Sequence, residues 1–494
     1  MKRFSFTPQF KSIYRYFSLL LLSFLLLFGT ADAISHDKTP PGSTEGLTLK
    51  SLREKIDEIL DDPQLEHAFT GIKIVSLNDG KVIYQKNADK LFHPASNTKL
   101  LTTAAAISKL GNFKFKTVIS ANGHIDNDVL KGNLFVRGCG DGIFSLDNMD
   151  SIVAMIYVKG IRTITGNLVG NVSYFDTVSW GPGWMWDDEP ESDEPFITPL
   201  SVNGNSVKIA VRRTSGAKPD VEITPMLPSF SITNNCIIGS DASLLPLNVV
   251  RPHGENRFIV TGEYTSRDSS RDFDLSVSNP AMFYLELLKS KLNDQGIVVN
   301  GKLLIDSMKG KTALAEIDHP LDSILVHINK NSENLAAENL LKTMAAEVYG
   351  APGTWNNGVL AVKDYLASAG VDTAAIILAD GSGVSFYNAI SPNDFIKVLA
   401  DQYHRKKTFE RFFATLPIAG IDGTLHARMK NTVAEGRVHA KTGTLTGVSS
   451  LSGYVTTIEG KILAFSVLNN HFPGESHYIR DAQDEIMKIL VRLK

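Results

Sequence analysis

The sequence predicts an α/β (α+β) protein whose main domain is discontinuous and interrupted by a β-rich insertion of one or two subdomains. A hairpin and an Ala-rich helix stand near the front, and helices followed by strand, strand, strand, helix stand at the back. Between about 116 and 304 the texture changes to short apolar runs punctuated by Gly, Asn and Pro. At 494 residues the chain exceeds one ordinary core. The expected partition is a signal peptide at 1–33, a flexible leader at 34–46, a main domain from 47–115 with 305–494, and an insertion at 116–304, expected as two subdomains.

At the N-terminus, Lys2, Arg3, Lys11 and Arg15 precede an apolar run from Phe17 to Phe28, and Ala31-Asp32-Ala33 is a small-x-small cleavage site. That run is shorter than the ~20 residues a spanning helix needs. Removal after Ala33 is expected, which leaves no stable membrane span and places the protein in the periplasm or cell-wall space. A helix is expected over Leu49 to Leu60, then a hairpin in which Gly71 to Val75 and Lys81 to Tyr84 flank Leu77-Asn78-Asp79-Gly80. From Ser96 to Leu110, Leu100, Leu101, Ala104, Ala105 and Ile107 recur at helical spacing, and Gly111 ends the pattern. Helical periodicity returns over 321–349 and 356–369; Arg437 to Lys441, Ser449 to Thr456 and Ile462 to Leu468 read as strands, and Tyr478 to Leu490 as a helix.

An apolar fraction of 43% with 21% charged residues and a net charge of −3 gives no basic surface for nucleic acid. Cys139 and Cys236 alone exclude a multi-cysteine metal site and leave two readings, a long-range disulfide or two buried thiols. Gly296 to Leu303 nearly spells a phosphate loop, but Leu303 stands where Ser or Thr is needed. No cofactor or metal is implied, and oligomeric state is not legible.

Three short motifs carry chemistry. Ser96-Asn97-Thr98-Lys99 opens the Ala-rich helix, so its Ser and Lys share a face one turn apart. A hydroxyl needs a base to become nucleophilic, and a lysine serves if burial or a second cation lowers its pKa. The plain alternative for Ser96 is a helix cap. Lys441-Thr442-Gly443-Thr444 ends a strand-like run. Gly443 would let a substrate backbone lie along the strand edge and Lys441 would meet a carboxylate; a turn between strands is the alternative. Ser332-Glu333-Asn334 is a weak pattern that recurs elsewhere, but only here does it fall between two amphipathic helices, Leu321 to Lys330 and Leu335 to Val348. A cap on the second helix is its alternative.

The order Ser-x-x-Lys, Ser-x-Asn, Lys-Thr-Gly is that of active-site serine enzymes such as penicillin-binding proteins. With His93-Pro94-Ala95-Ser96, Gly132 to Gly138, Gly181 to Asp188, Asn203-Gly204-Asn205 and Asp380-Gly381-Ser382-Gly383, the chain resembles the D-alanyl-D-alanine carboxypeptidases of peptidase family S13, class C low-molecular-mass penicillin-binding proteins. It departs from them at Cys139 and Gly142, where serine and proline are expected. The resemblance implies a β-lactamase/transpeptidase-like catalytic domain that cuts peptidoglycan peptides ending in D-Ala-D-Ala and is inhibited by β-lactam antibiotics.

The resemblance also implies roles. Ser96 is the nucleophile and Lys99 its base. The backbone N–H groups of Ser96 and Thr444 hold the oxyanion. Ser332 relays a proton to the leaving group, Asn334 binds the peptide amide, and Lys441, Thr442, Gly443 and Thr444 form the carboxylate-holding edge. Asp188 resembles an insertion acid beside the substrate cleft. Endopeptidase action on cross-links, a β-lactamase or esterase, and a non-catalytic wall-binding protein remain open beside this reading.

Overall fold

A strand buried on both faces carries apolar residues at odd and even positions alike, and the C-terminal strands have that composition. The structure is a computed structural model that describes residues 46–216, 218–240, 245–265, 268 and 270–494; the expected signal peptide and all of the leader except Gly46 lie outside the described residues. One antiparallel sheet contains β1 (Phe69–Ser76), β2 (Val82–Lys86), β3 (Val438–Leu445), β4 (Val448–Thr456) and β5 (Ile462–Asn470) in the order β2-β1-β5-β4-β3. The two ends of the chain therefore meet in adjacent strands, with Phe69 opposite Asn470.

Eight helices belong to this part of the chain among the described residues: α1 (Leu49–Leu60), α2 (Thr98–Leu110), α3 (Leu321–Lys330), α4 (Asn334–Tyr349), α5 (Trp355–Ser368), α6 (Pro392–His404), α7 (Lys406–Phe413) and α8 (His477–Val491). Along β5, Leu463, Phe465 and Val467 join a core with residues of α1 and α8, whereas Ala464 and Leu468 join a second core with α2 to α6. The sheet is thus a middle layer between two helical layers. α2 packs against α3, α4 and α5, deep in the second core. Ser391 caps α6 through a reciprocal pairing with Asp394, and Pro392 occupies the first turn. The short α7 was not anticipated.

Residues 114 to 320 form other sheets. Leu303–Ile305, Leu168–Asn171, Leu134–Gly138, Lys114–Ala121 and Thr312–Pro320 make one of five strands, and smaller sheets hold 206–276. Two differences from expectation follow. The strand Thr312–Pro320, expected within the main domain, pairs along its length with Lys114–Ala121, so the chain leaves this sheet near 320 rather than 304. The region also contains two helices, Leu146–Val158 and Pro280–Asp294. In the first, Met149, Ile152, Val153 and Ile156 form a buried helical stripe behind a Ser145–Asn148 capping box. Both cysteines are free and buried.

Candidate active site

The nucleophile candidate sits on a forced turn. Ala95 adopts a left-handed φ of 46° at the head of a 3₁₀ turn, Ala95–Asn97, that runs directly into α2. Asn470 at the end of β5 pins this segment by accepting from the His93 N–H at 2.8 Å and donating to the His93 carbonyl at 3.0 Å. Ser332 is also left-handed, at φ 63°. Conformations of this kind cost about 1–3 kcal/mol each and cluster at functional sites. Ser332 is not the cap of α4, because Glu333 occupies the N-cap position without a side-chain bond.

Lys99 is 0% exposed. Its Nζ lies 2.8 Å from Ser96 Oγ and 2.8 Å from the Ser382 carbonyl, and it also meets Asn334 Oδ1. Two of these oxygens can only accept. A neutral amine has two N–H groups for them and one lone pair left for the Ser96 hydroxyl. Burial pulls the Lys99 pKa down to about 8, against the opposing pull of Asp380 and Glu338. Lys441, equally buried, donates to Ser332 Oγ at 2.9 Å, and burial followed by repulsion from Lys99 holds it well below the usual lysine range.

β3 is the edge strand of the sheet. As far as Ala440 its outer side is covered by 417–419; beyond that, Thr442, Gly443 and Thr444 line a cleft with Ser96, Ser332 and Asn334. A Cβ on Gly443 would fall 2.2 Å from Ser450 Oγ and 2.9 Å from the Ser96 nitrogen, so only glycine allows this closeness. Asn97 holds the two segments together, donating to the Lys441 carbonyl at 3.1 Å and to Ser450 Oγ at 2.8 Å, while Ser450 donates to the Pro94 carbonyl. Thr442 Oγ1 bonds Thr424 Oγ1.

Eight of the nine expected site residues therefore converge, and Asp188 does not. Its carboxylate accepts from the Met185 N–H at 2.9 Å within a short 3₁₀ turn, and the acids lining the cleft are Asp193 and Glu194, further along the same loop. Asn334 Nδ2 donates to the Asp193 carbonyl at 2.8 Å. Burial, then Asp193 and Asp188, push the Glu194 carboxyl up to about 8. The motifs alone also missed Asn97, Glu338 and the Ser382 carbonyl. Spacing puts Glu338 one helical turn after Asn334 on the same face, but its partner Ser382 lies far off in sequence.

A family model described as "D-Ala-D-Ala carboxypeptidase 3 (S13) family" matches residues 52–493. The chain belongs to this family. Similarity to curated proteins runs across much of the chain's length: the D-alanyl-D-alanine carboxypeptidase of Actinomadura sp. (strain R39) is 34% identical over 447 residues, 87% of this chain and 82% of that one. The crystal structure of penicillin binding protein 4 from Haemophilus influenzae superposes with a TM-score of 0.79 at 27% identity, covering 88% of this chain and 99% of that one. The same Haemophilus protein complexed with a β-lactam superposes at 0.74, with 26% identity over 89% of this chain and 99% of that one. As an S13 peptidase the chain is a serine-type D-Ala-D-Ala carboxypeptidase, a penicillin-binding hydrolase of the β-lactamase/transpeptidase-like fold. Among the described residues no helix is long and apolar enough to cross a membrane.

Proposed function

We propose that the chain trims peptidoglycan stem peptides in the periplasm or cell-wall space, with Ser96 as the acylated nucleophile. The observation that carries this is the hydrogen-bond balance at Lys99: two acceptor-only oxygens hold its N–H groups and leave its lone pair to Ser96. Ser96 Oγ attacks the carbonyl between the two D-alanines as Lys99 takes the hydroxyl proton. The oxyanion forms between the N–H groups of Ser96 and Thr444, where each preorganised donor is worth about 10²–10³ in rate. Ser332, bonded to Lys441, passes a proton to the departing D-alanine amine. The peptide carbonyl takes the place of the Asp193 carbonyl at Asn334 Nδ2, and Thr442, Thr444 and the Lys441 charge hold the terminal carboxylate. Water then releases the shortened peptide.

The division into a catalytic body and an insertion belongs to the same proposal. Residues 114 to 320 leave and return to the catalytic part at the base of α2 and α3, and supply the cleft wall that bears Asp193 and Glu194. Incubation with a labelled penicillin and mass spectrometry of the modified peptide tests the assignment. Label is expected on Ser96 and absent from Ser96→Ala; label on another residue overturns it.

A further inference from the structure

Behind Lys99 lies a pair of acids that the acylation steps leave unused. Glu338 and Asp380 are both 0% exposed, and an isolated buried carboxylate is costly unless donors surround it. Donors do surround both. Glu338 Oε1 accepts from the Ser382 N–H at 2.7 Å and the Gly381 N–H at 3.0 Å, and its Oε2 accepts from Trp355 Nε1 at 2.8 Å. Asp380 accepts from the N–H groups of Gly383 and Ser385, at 2.9 and 2.7 Å, and from Asn388 and Trp184. The two carboxylates thus build the 380–385 turn from the inside.

That turn is wedged against the nucleophile. Gly383 has a φ of 89°, and a Cβ there would lie 1.9 Å from the Ala95 carbonyl oxygen. Thr102 Oγ1 on α2 donates to the Gly381 carbonyl at 2.7 Å. Ser382 is held at both ends: its N–H by Glu338 and its carbonyl by the Lys99 amine. A displacement of the carboxylate would therefore reach Lys99 through a single residue.

We propose that Glu338 is a positioning residue for Lys99: its carboxylate fixes the Ser382 carbonyl that receives one Lys99 N–H, and its charge sets the pH at which the amine becomes a base. The inference deepens the assignment of Ser96 and Lys99 and rests on it. The other groups whose charge reaches the amine are Asp380 on the turn, Glu333 before α4, Asp193 and Glu194 on the cleft loop, and Lys441 on β3. Burial and Asp380 push the Glu338 carboxyl up to about 7, opposed by the N–H groups of Ser382, Trp355 and Gly381, which favour its ionised form. A negative neighbour favours the ammonium form; removing it lets Lys99 deprotonate at lower pH.

The test is the acylation rate with a labelled penicillin as a function of pH. Wild-type protein carrying its label on Ser96 establishes the underlying assignment first. In Glu338→Gln the rising limb of the profile is expected about one unit lower, with a plateau reduced about tenfold because the amide offers one acceptor where the carboxylate offered two. A limb at the wild-type position overturns the inference and leaves the assignment of Ser96 intact. Glu338→Asp keeps the charge but draws it back from Ser382, so its limb stays in place while its plateau falls. An unaltered plateau in that variant overturns the positioning role, also where Glu338→Gln does not fold.

Discussion

The surroundings of Ser96 and the region from 114 to 320 bury opposite things. Lys99, Lys441, Glu338 and Asp380 are all 0% exposed; Ser382 joins Lys99 to Glu338 and Asp380, and Lys441 bonds Ser332 on the same cleft. In the other region the core is built from residues such as Ile119, Val136, Leu168, Phe258 and Leu288, and pairs such as Lys114–Asp318, Lys116–Glu316 and Lys131–Asp126 stay at the surface. An exception is instructive: Arg251 is buried there, and it is answered by Glu189 on the loop that carries the cleft acids. Burying an ion costs several kcal/mol even after relaxation. Concentrating such ions in one place is what a site needs to lower a lysine pKa and strengthen its hydrogen bonds, and what a scaffold avoids.

The sharpest way to break the comparison is Lys99→Met. Removing the base is expected to lower the rate of Ser96 acylation by up to about 10⁴-fold, read with the same labelled penicillin. The fold should survive, and its pH dependence should change in a defined direction. With a folded pKa of about 8 against 10.5 for an ordinary lysine, the unfolded wild type binds the extra proton between those values. Its stability therefore rises with pH across that window, and the penalty is full below it. Denaturant midpoints of wild type and variant should converge toward the alkaline end.

Phe258→Ala inverts the pattern. The ring is 0% exposed and packs edge-on to Phe230, with centroids 5.9 Å apart. Its loss should cost about 3–5 kcal/mol of stability, measured by denaturant unfolding, and leave the acylation rate per folded molecule unchanged. A rate loss as large as that of Lys99→Met would mean that the two regions do not divide the work.

The same contrast explains what was legible in the sequence. Leu49–Leu60 follows from helical periodicity, the hairpin from its Leu77–Gly80 turn, and the three C-terminal strands from runs that are apolar at odd and even positions alike, because the sheet is a middle layer. The three short motifs were legible because the chemistry proposed for them needs fixed residue types at fixed spacing. Glu338 and Asn97 were not singled out, since what they do depends on partners distant in sequence, Ser382 and Ser450. Asp188 came from a local motif, which does not show how its loop runs: its carboxylate closes the turn at Met185, and Asp193 and Glu194 further along line the cleft. The helix Leu146–Val158 was absorbed into a β-rich reading because Ile152-Val153 and Ile156-Tyr157-Val158 are strand-favouring residues; the cap at Ser145 and packing of the stripe override that preference.

The smallest expected effect is also a test of the division. Lys131 and Asp126 pair at 2.7 Å across a short hairpin, with side chains 52% and 49% exposed. Water and salt screen such a pair, and holding two long side chains in one geometry offsets most of its Coulomb attraction. Lys131→Ala should therefore leave both the thermal midpoint and the acylation profile at their wild-type values, at low and at high salt. A shifted acylation limb in this variant would mean that a charge on the far hairpin is felt at Lys99. The buried network around Ser96 would then have to be read as one part of a field spread over the whole chain.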